Sequence, residues 1–186
     1  MEYKAGSAMR AKVEMPGGGH CLMSGFPGLE TGIDGSGYID PDALQDTLQD
    51  IRDNAAALML VLPEEEELPE GSFGLLKKEA ETRGIELIFL PIEDFMVPDA
   101  AFMARWQSLG PRLHDLLRGG AGCAICCQYG AGRSGLMVAL LLIEDGMGAE
   151  AAVAHVRAVF PEAVESAAQL AWLEERAAAR GTAAGN

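Results

Sequence analysis

Cys127, Gln128, Tyr129, Gly130, Ala131, Gly132, Arg133, Ser134 and Gly135 bring a thiol, a guanidinium and a hydroxyl together among closely spaced glycines. Glycines let a short loop curl so that successive backbone N–H groups point inward. Such a nest at the start of a helix holds an anion the size of phosphate. The backbone amides of Gln128, Tyr129, Gly130, Ala131, Gly132 and Arg133 would line it, and the Arg133 side chain would add a bidentate clamp. The same nest and helix dipole favour the thiolate of Cys127, which arms it as a nucleophile. Cysteine and clamp then address one phosphorus atom.

Other chemistries share parts of this pattern. Gly130-x-Gly132-x-x-Gly135 also satisfies the dinucleotide-binding fingerprint. That reading needs a second parallel strand and an acidic residue about 20 positions on, yet residues 136–176 read as helical throughout. A phosphate loop of the Gly-Lys-Ser/Thr kind is absent. A cysteine six positions before an arginine is weak evidence alone. The glycine pattern, Ser134 and the strand-to-helix context make it specific.

With that context the segment resembles the signature loop of the cysteine-dependent protein tyrosine and dual-specificity phosphatases: His-Cys, five residues, Arg, then Ser or Thr. The likeness extends from the Gly25-Phe26-Pro27-Gly28 turn, through Glu67-Leu68 and Pro91-Ile92-Glu93-Asp94, to Glu165 and Gln169. This order and spacing are similar to the kinase-associated phosphatase branch. The resemblance implies a phosphoprotein phosphatase acting through a cysteinyl-phosphate, with phosphotyrosine as the first substrate class and phosphoserine or phosphothreonine as the second. It implies that Cys127 attacks phosphorus while Arg133 and the loop amides stabilise the equatorial oxygens. Asp94 would protonate the leaving oxygen and later activate water. Ser134 would hydrogen-bond the sulfur, and Gln169 would help place the water. No metal or cofactor is implied.

One position departs from the family: Cys126 stands where it has histidine. The alternative reading is therefore a phosphoresidue-binding pseudophosphatase, although Cys127, Arg133, Ser134 and Asp94 together favour activity. Cys126, Cys123 and Cys21 are each candidates to capture an oxidised Cys127, and are most simply small buried groups on strands. Glu93 and Asp99 compete with Asp94 for the acid role, though Asp99 after Pro98 reads better as a helix N-cap. The run 64–67 reads as a solvated loop on the rim, disfavouring polyphosphorylated or lipid headgroup substrates and preferring peptides with basic flanks. His20, His114 and His155 have no ligand spacing.

The elements that must position this loop follow from hydrophobic periodicity. Strands are expected at 11–15 and 20–24, joined by the turn 16–19, and Asp40-Pro41 should open an amphipathic helix to about Asn54. Strand 57–62, helix 73–82, strand 85–90 and a helix from beyond Pro98 to Gly119-Gly120 come next. Phe102, Trp106, Leu109, Leu113, Leu116 and Leu117 share one face of the last, and Pro111 should kink rather than end it. A central strand at 123–126 leads into the loop, followed by helices at 133–144, 149–160 and 164–176. The expectation is one α/β domain over 11–176, a mostly parallel twisted sheet flanked by helices, with flexible ends at 1–10 and 177–186. Ligands of such sheets bind at the strands' C-terminal ends.

Composition narrows the partners. The 186 residues carry 14 Lys+Arg against 28 Asp+Glu, a formal net charge of −14. Such a field repels phosphate at long range, so nucleic acid and anionic membrane are excluded as general partners. A phosphorylated protein or peptide is the expected one. The longest apolar run is the eight residues 136–143, far short of the roughly 20 that span a bilayer. No apolar block with a cleavage site suggests secretion, and three of four cysteines crowd into five residues. A reducing, cytoplasmic setting is therefore expected.

Overall fold

Ala56–Val61 and Gly122–Cys126 are short, almost wholly apolar runs. A strand alternates its side chains between two faces, so such a run is stable only when both faces are covered. In the computed structural model, which describes residues 3–184, this is what happens. Leu58, Leu60, Cys123 and Ile125 join one apolar cluster, while Met59, Val61, Ala124 and Cys126 join another on the opposite face.

The strands are β1 (Met9–Glu14), β2 (His20–Ser24), β3 (Leu29–Thr31), β4 (Gly37–Ile39), β5 (Ala56–Val61), β6 (Glu86–Phe89) and β7 (Gly122–Cys126). The helices are α1 (Pro41–Asp53), α2 (Ser72–Thr82), α3 (Ala100–Arg118), α4 (Gly132–Glu144), α5 (Ala149–Val159) and α6 (Ala167–Ala184). The main sheet has the order β1-β2-β7-β5-β6, antiparallel between β1 and β2 and parallel elsewhere. This is a single α/β domain with a mostly parallel sheet flanked by helices, as expected. Helices α1 and α2 supply Leu44, Leu48, Ile51, Leu76 and Ala80 to one cluster. Helices α3 to α6 cover the other face.

Local signals account for the boundaries. The Asp40 carboxylate accepts hydrogen bonds from the amides of Asp42 and Ala43 ahead of Pro41, an N-cap with proline at the first position. Asp99 caps α3 by accepting from the Phe102 amide at 2.7 Å. That helix runs continuously through Pro111. The carbonyl left without its usual donor belongs to Gln107, and both residues are exposed, so water can reach it.

Three parts differ from the sequence reading. The β3–β4 hairpin was not expected; its strands have only three residues each and mostly exposed side chains, so periodicity cannot mark them. Helix α6 begins at Ala167 rather than 164, because Val164 sits at φ 56, where a helix cannot pass, and Ser166 then accepts the Gln169 amide. The ends also carry structure. Residues 9–10 belong to β1, the Lys4 and Ala8 amides donate to Asp50 and Thr47, and alanine-rich 177–184 continues α6. The remaining terminal residues of those expected tails, 1–2 and 185–186, lie outside the described residues.

Helix α4 is buried from Gly132 to Ile143. Each fully buried Leu contributes roughly 1.5–3 kcal/mol, so packing fixes this helix along its whole length. Its far end is tied to α3: His114 Nε2 lies 2.9 Å from Glu144, Nδ1 lies 3.1 Å from Asp145, and Trp106 Nε1 donates to Glu144 at 2.8 Å. The hydrogen bond to Glu144 raises the His114 pKa above its ordinary value; burial opposes this, and the charge of Asp145 adds to it. The folded protein therefore holds this proton more tightly than the unfolded chain. Its stabilisation is complete below the ordinary value of about 6.5 and is lost as pH rises through the raised folded value. Thermal melts should show His114→Gln destabilised more at pH 5.5 than at pH 9. A difference independent of pH would contradict this.

Candidate active site

Strand β7 ends at Cys126, and the chain turns through 127–131 into the first turn of α4. Cys127 is 3% exposed, and its sulfur accepts a hydrogen bond from the Gly130 amide at 3.1 Å. That geometry needs glycine: at φ 100, a Cβ on residue 130 would lie 2.5 Å from the Ser24 carbonyl carbon and 2.6 Å from the Gly25 nitrogen. A Cβ on Gly132 would collide with the Glu165 carboxylate, and one on Gly135 would meet Ala163 at 2.7 Å. The glycines thus close the loop against β2 and the α5–α6 connection. Among the described residues no strand follows β7, so the βαβ unit of the dinucleotide reading does not form.

Arg133 folds back beneath the loop and is 1% exposed. Nη1 donates to Glu67 Oε1 at 2.6 Å and to the Ile92 carbonyl at 2.9 Å, and Nη2 donates to Glu67 Oε2 at 2.7 Å. Nη2 also lies 2.9 Å from Asp94 Oδ1. Burial works against this charge. The hydrogen bonds it donates to Glu67, with the charges of Cys127, Glu67 and Asp94, outweigh this and leave the guanidinium pKa above its ordinary value. Nε is buried and has no partner among the described residues. A buried donor without an acceptor is costly, and an anion in the loop would relieve it.

Of the three acids weighed for proton transfer, only Asp94 pairs with Arg133; Glu93 is exposed and Asp99 is committed to its cap. The loop bearing Asp94 is held on two sides. Ile92 donates to the Leu62 carbonyl at 2.8 Å. From α6 and its cap, Ser166 Oγ donates to the Phe95 carbonyl at 3.2 Å and Gln169 Nε2 to the Met96 carbonyl at 3.5 Å. Gln169 is fully buried and here braces the acid loop, a contact its sequence reading did not include. Ser134 Oγ is buried without a hydrogen-bond partner among the described residues, so the expected bond to the sulfur is not made; the Gly130 amide makes that contact instead.

Two acidic residues take sharper places here than periodicity and composition assign them. Glu67 does not belong to a solvated run. Its Oε1 accepts from the Glu64 amide at 2.8 Å as well as from Arg133, so the turn at Glu65–Glu67 is built around the pair. The three-residue spacing of Glu64 and Glu67, a capping-box spacing, was the available signal. Glu165 lies over Gly132, and desolvation together with Asp94 pushes its carboxyl above the ordinary range against the pull of Arg133. A cavity of about 420 Å³ beside the loop is lined by Tyr129, Ala131, Pro161, Glu162, Val164 and Glu165. Gln128 is exposed, and its carbonyl accepts from the Phe26 amide at 3.1 Å.

The other thiols stand apart from Cys127. Cys126 points to the opposite face of the sheet, where burial and then the neighbouring Cys127 push its pKa well up. Cys123 and Cys21 are register partners with sulfurs 3.6 Å apart. Cys123 lies four residues back along the strand, about 13 Å from Cys127 at 3.3 Å per residue. A disulfide needs Cα atoms within about 7 Å. The expected capture of Cys127 by these cysteines does not fit the fold.

Glu67 and its exposed neighbours should separate cleanly. Glu67→Gln keeps one acceptor but removes the charge facing a buried cation, and should cost about 3 kcal/mol of unfolding free energy. Glu65→Gln and Glu66→Gln should each cost under about 0.5 kcal/mol. Urea titrations giving all three the same small effect would contradict the pairing.

No family model and no curated protein matches the chain. Solved structures do. Tk-PTP in its active form superposes with a TM-score of 0.66 at 24% identity, over 92% of this chain and 97% of that one. Kinase associated phosphatase, with serine substituted for its catalytic site cysteine, gives a TM-score of 0.73 at 20% identity over 95% and 96%. PTPMT1 in complex with PI(5)P gives 0.64 at 19% identity over 88% and 94%. The chain therefore shares the fold of these phosphatase structures.

Proposed function

We propose that the protein is a cysteine-dependent phosphoprotein phosphatase, with phosphotyrosine esters as its first substrate class and phosphoserine or phosphothreonine esters as its second. One observation carries the reading. A buried arginine with an unpartnered Nε, a cysteine under a backbone amide and a carboxylate on the arginine converge on one glycine loop. Each component is needed for in-line transfer of a phosphoryl group, and the fold supports the same chemistry.

In this reading a phosphate enters the loop and its equatorial oxygens meet the inward amides and Arg133 Nε. Glu67 keeps the guanidinium plane fixed, so no reorganisation is needed as charge shifts. The Cys127 sulfur attacks phosphorus as the P–O bond to the leaving group breaks, and Asp94 gives its proton to that oxygen. A water then attacks the cysteinyl-phosphate, gives a proton back to Asp94, and releases inorganic phosphate and the thiolate. Gln169 holds the loop that presents Asp94.

The surroundings favour a phosphoprotein over a phosphoinositide. The loop interior, Gln128 to Gly132, contains no lysine to meet further phosphates, and Glu162 and Glu165 line the adjoining cavity, where Arg157 is committed to the Ala163 and Val164 carbonyls. Exposed Tyr129, Phe95 and Met96 at the loops offer apolar contact to an aryl ester. The acidic rim disfavours polyanionic headgroups and prefers basic flanking residues.

Hydrolysis of an aryl phosphate under reducing conditions tests the proposal. Cys127→Ser should lower kcat by at least about a thousandfold while retaining phosphotyrosine-peptide binding. Asp94→Ala should slow hydrolysis about a hundredfold, and most for esters with poor leaving groups; equal slowing for all leaving groups would remove its acid role. Wild-type protein that binds phosphopeptide without turnover would select the pseudophosphatase reading, which Cys126 motivates.

A further inference from the structure

Arg10 lies far from the loop in sequence and belongs to none of the motifs that mark it. In the β1–β2 pairing Met9 faces Ser24 and Ala11 faces Met23, so Arg10 is the unpaired residue of a β-bulge. Bulges re-aim side chains, often beside active sites. This one sends Arg10 across to the phosphate loop. Its Nε donates to the Tyr129 carbonyl at 3.0 Å, and its guanidinium lies 4.7 Å from the centre of the Tyr129 ring. Its stem packs so tightly on Gly130 that a Cβ there would come within 2.8 Å of Arg10 Cγ. Among the described residues Arg10 forms no ion pair with a carboxylate, in a chain with 28 of them.

The contact acts on the nucleophile through a single peptide group. The carbonyl of Tyr129 and the N–H of Gly130 belong to the same planar trans unit and point in opposite directions. Arg10 holds the carbonyl on the outside, and the N–H on the inside donates to the Cys127 sulfur at 3.1 Å. A charged donor on the carbonyl also polarises the amide, strengthening the bond at its other end. We propose that Arg10 is a positioning residue for the nucleophile, fixing and polarising the Tyr129–Gly130 peptide so that it stabilises the Cys127 thiolate. This inference rests on the phosphatase reading. It also answers the departure at Cys126, whose thiol faces the opposite side of the sheet and cannot brace the loop. The other charged groups around the site, Arg133 from α4, Glu67, Asp94 and Glu165, form no ion pair with Arg10 among the described residues.

The test is the pH dependence of Cys127 alkylation by iodoacetamide, mapped by peptide mass, together with the pH profile of kcat/KM on an aryl phosphate. Arg10→Met keeps the stem and removes the donor and charge. It should move the alkylation midpoint and the acidic limb of kcat/KM upward by about one pH unit. Below the wild-type midpoint kcat/KM should then fall about tenfold, and the two enzymes should converge at high pH. Arg10→Lys, which keeps charge without the planar fork, should shift both in the same direction by less. An unchanged midpoint in folded Arg10→Met would overturn the inference even if the rate fell at every pH, since that pattern is packing alone. Should Arg10→Met fail to fold by thermal melting, the midpoint of Arg10→Lys decides on the same terms. Alkylation needs no turnover, so an inactive wild type refutes the phosphatase reading and leaves the Arg10 result standing or falling separately.

Discussion

A guanidinium that is 1% exposed is the constraint around which the rest of this site is arranged. Removing an arginine's charge from water costs several kcal/mol unless it is paired and hydrogen-bonded. The chain meets that cost from two loops that have no contact in sequence with the helix carrying Arg133. Glu67, after β5, grips both terminal nitrogens, and the loop after β6 supplies the Ile92 carbonyl and Asp94. Those loops leave neighbouring parallel strands at the same edge of the sheet. The sheet order thus decides which carboxylates the arginine meets, and leaves Nε as the free donor on the side of the cysteine.

Rigidity of the phosphate loop has a separate origin. Helix α4 carries its first residues into the loop and is buried along almost all its length, so it cannot slide without opening the core. Three glycines then let neighbours approach closely: the β2 backbone at Gly130, the Glu165 side chain at Gly132, and Ala163 and Val164 of the α5–α6 connection at Gly135. The left-handed turn at Val164 is held by Arg157, which donates to the carbonyls of Ala163 and Val164 at 2.9 and 2.7 Å. That turn sets Glu165 over Gly132. The glycine loop is therefore held from β2, from α4 and from the α5–α6 connection, and donors fixed in this way are what preorganised electrostatic stabilisation requires.

The sequence revealed the fold where burial imposes a period. The β5 and β7 runs, the capped starts of α1 and α3 and the glycine loop all declare themselves within a few residues. It was silent where structure depends on partners distant in the chain. The β3–β4 hairpin has too few inward residues to show alternation. Apart from the resemblance that picked out Glu67-Leu68, nothing local distinguishes Glu67 from Glu65 or Glu66 except a three-residue spacing from Glu64, because its contact is made by Arg133, 66 positions away. Arg10 is harder still: it falls in the stretch 1–10 that reads as a flexible end, and only the bulge opposite Met23 and Ser24 turns it toward the loop. The hydroxyl of Ser134 shows the converse, since the motif suggested a contact that this structure does not make.

The charge balance acquires a different meaning once these positions are known. A net charge of −14 looks hostile to phosphate, yet the site does not depend on the long-range field. It relies on oriented amides and one buried cation, whose influence is strong within a few ångströms and in a medium of low polarisability. Beyond that range the carboxylates dominate, screened only over about 8 Å at physiological salt. On the proposed reading, a single phosphate ester on an otherwise neutral or basic segment would reach the loop, whereas an approaching polyanion would meet repulsion before any amide could engage it. Acidity outside and a compact, neutralised cation inside would then be complementary parts of one selectivity device, the second to capture phosphate and the first to restrict what accompanies it.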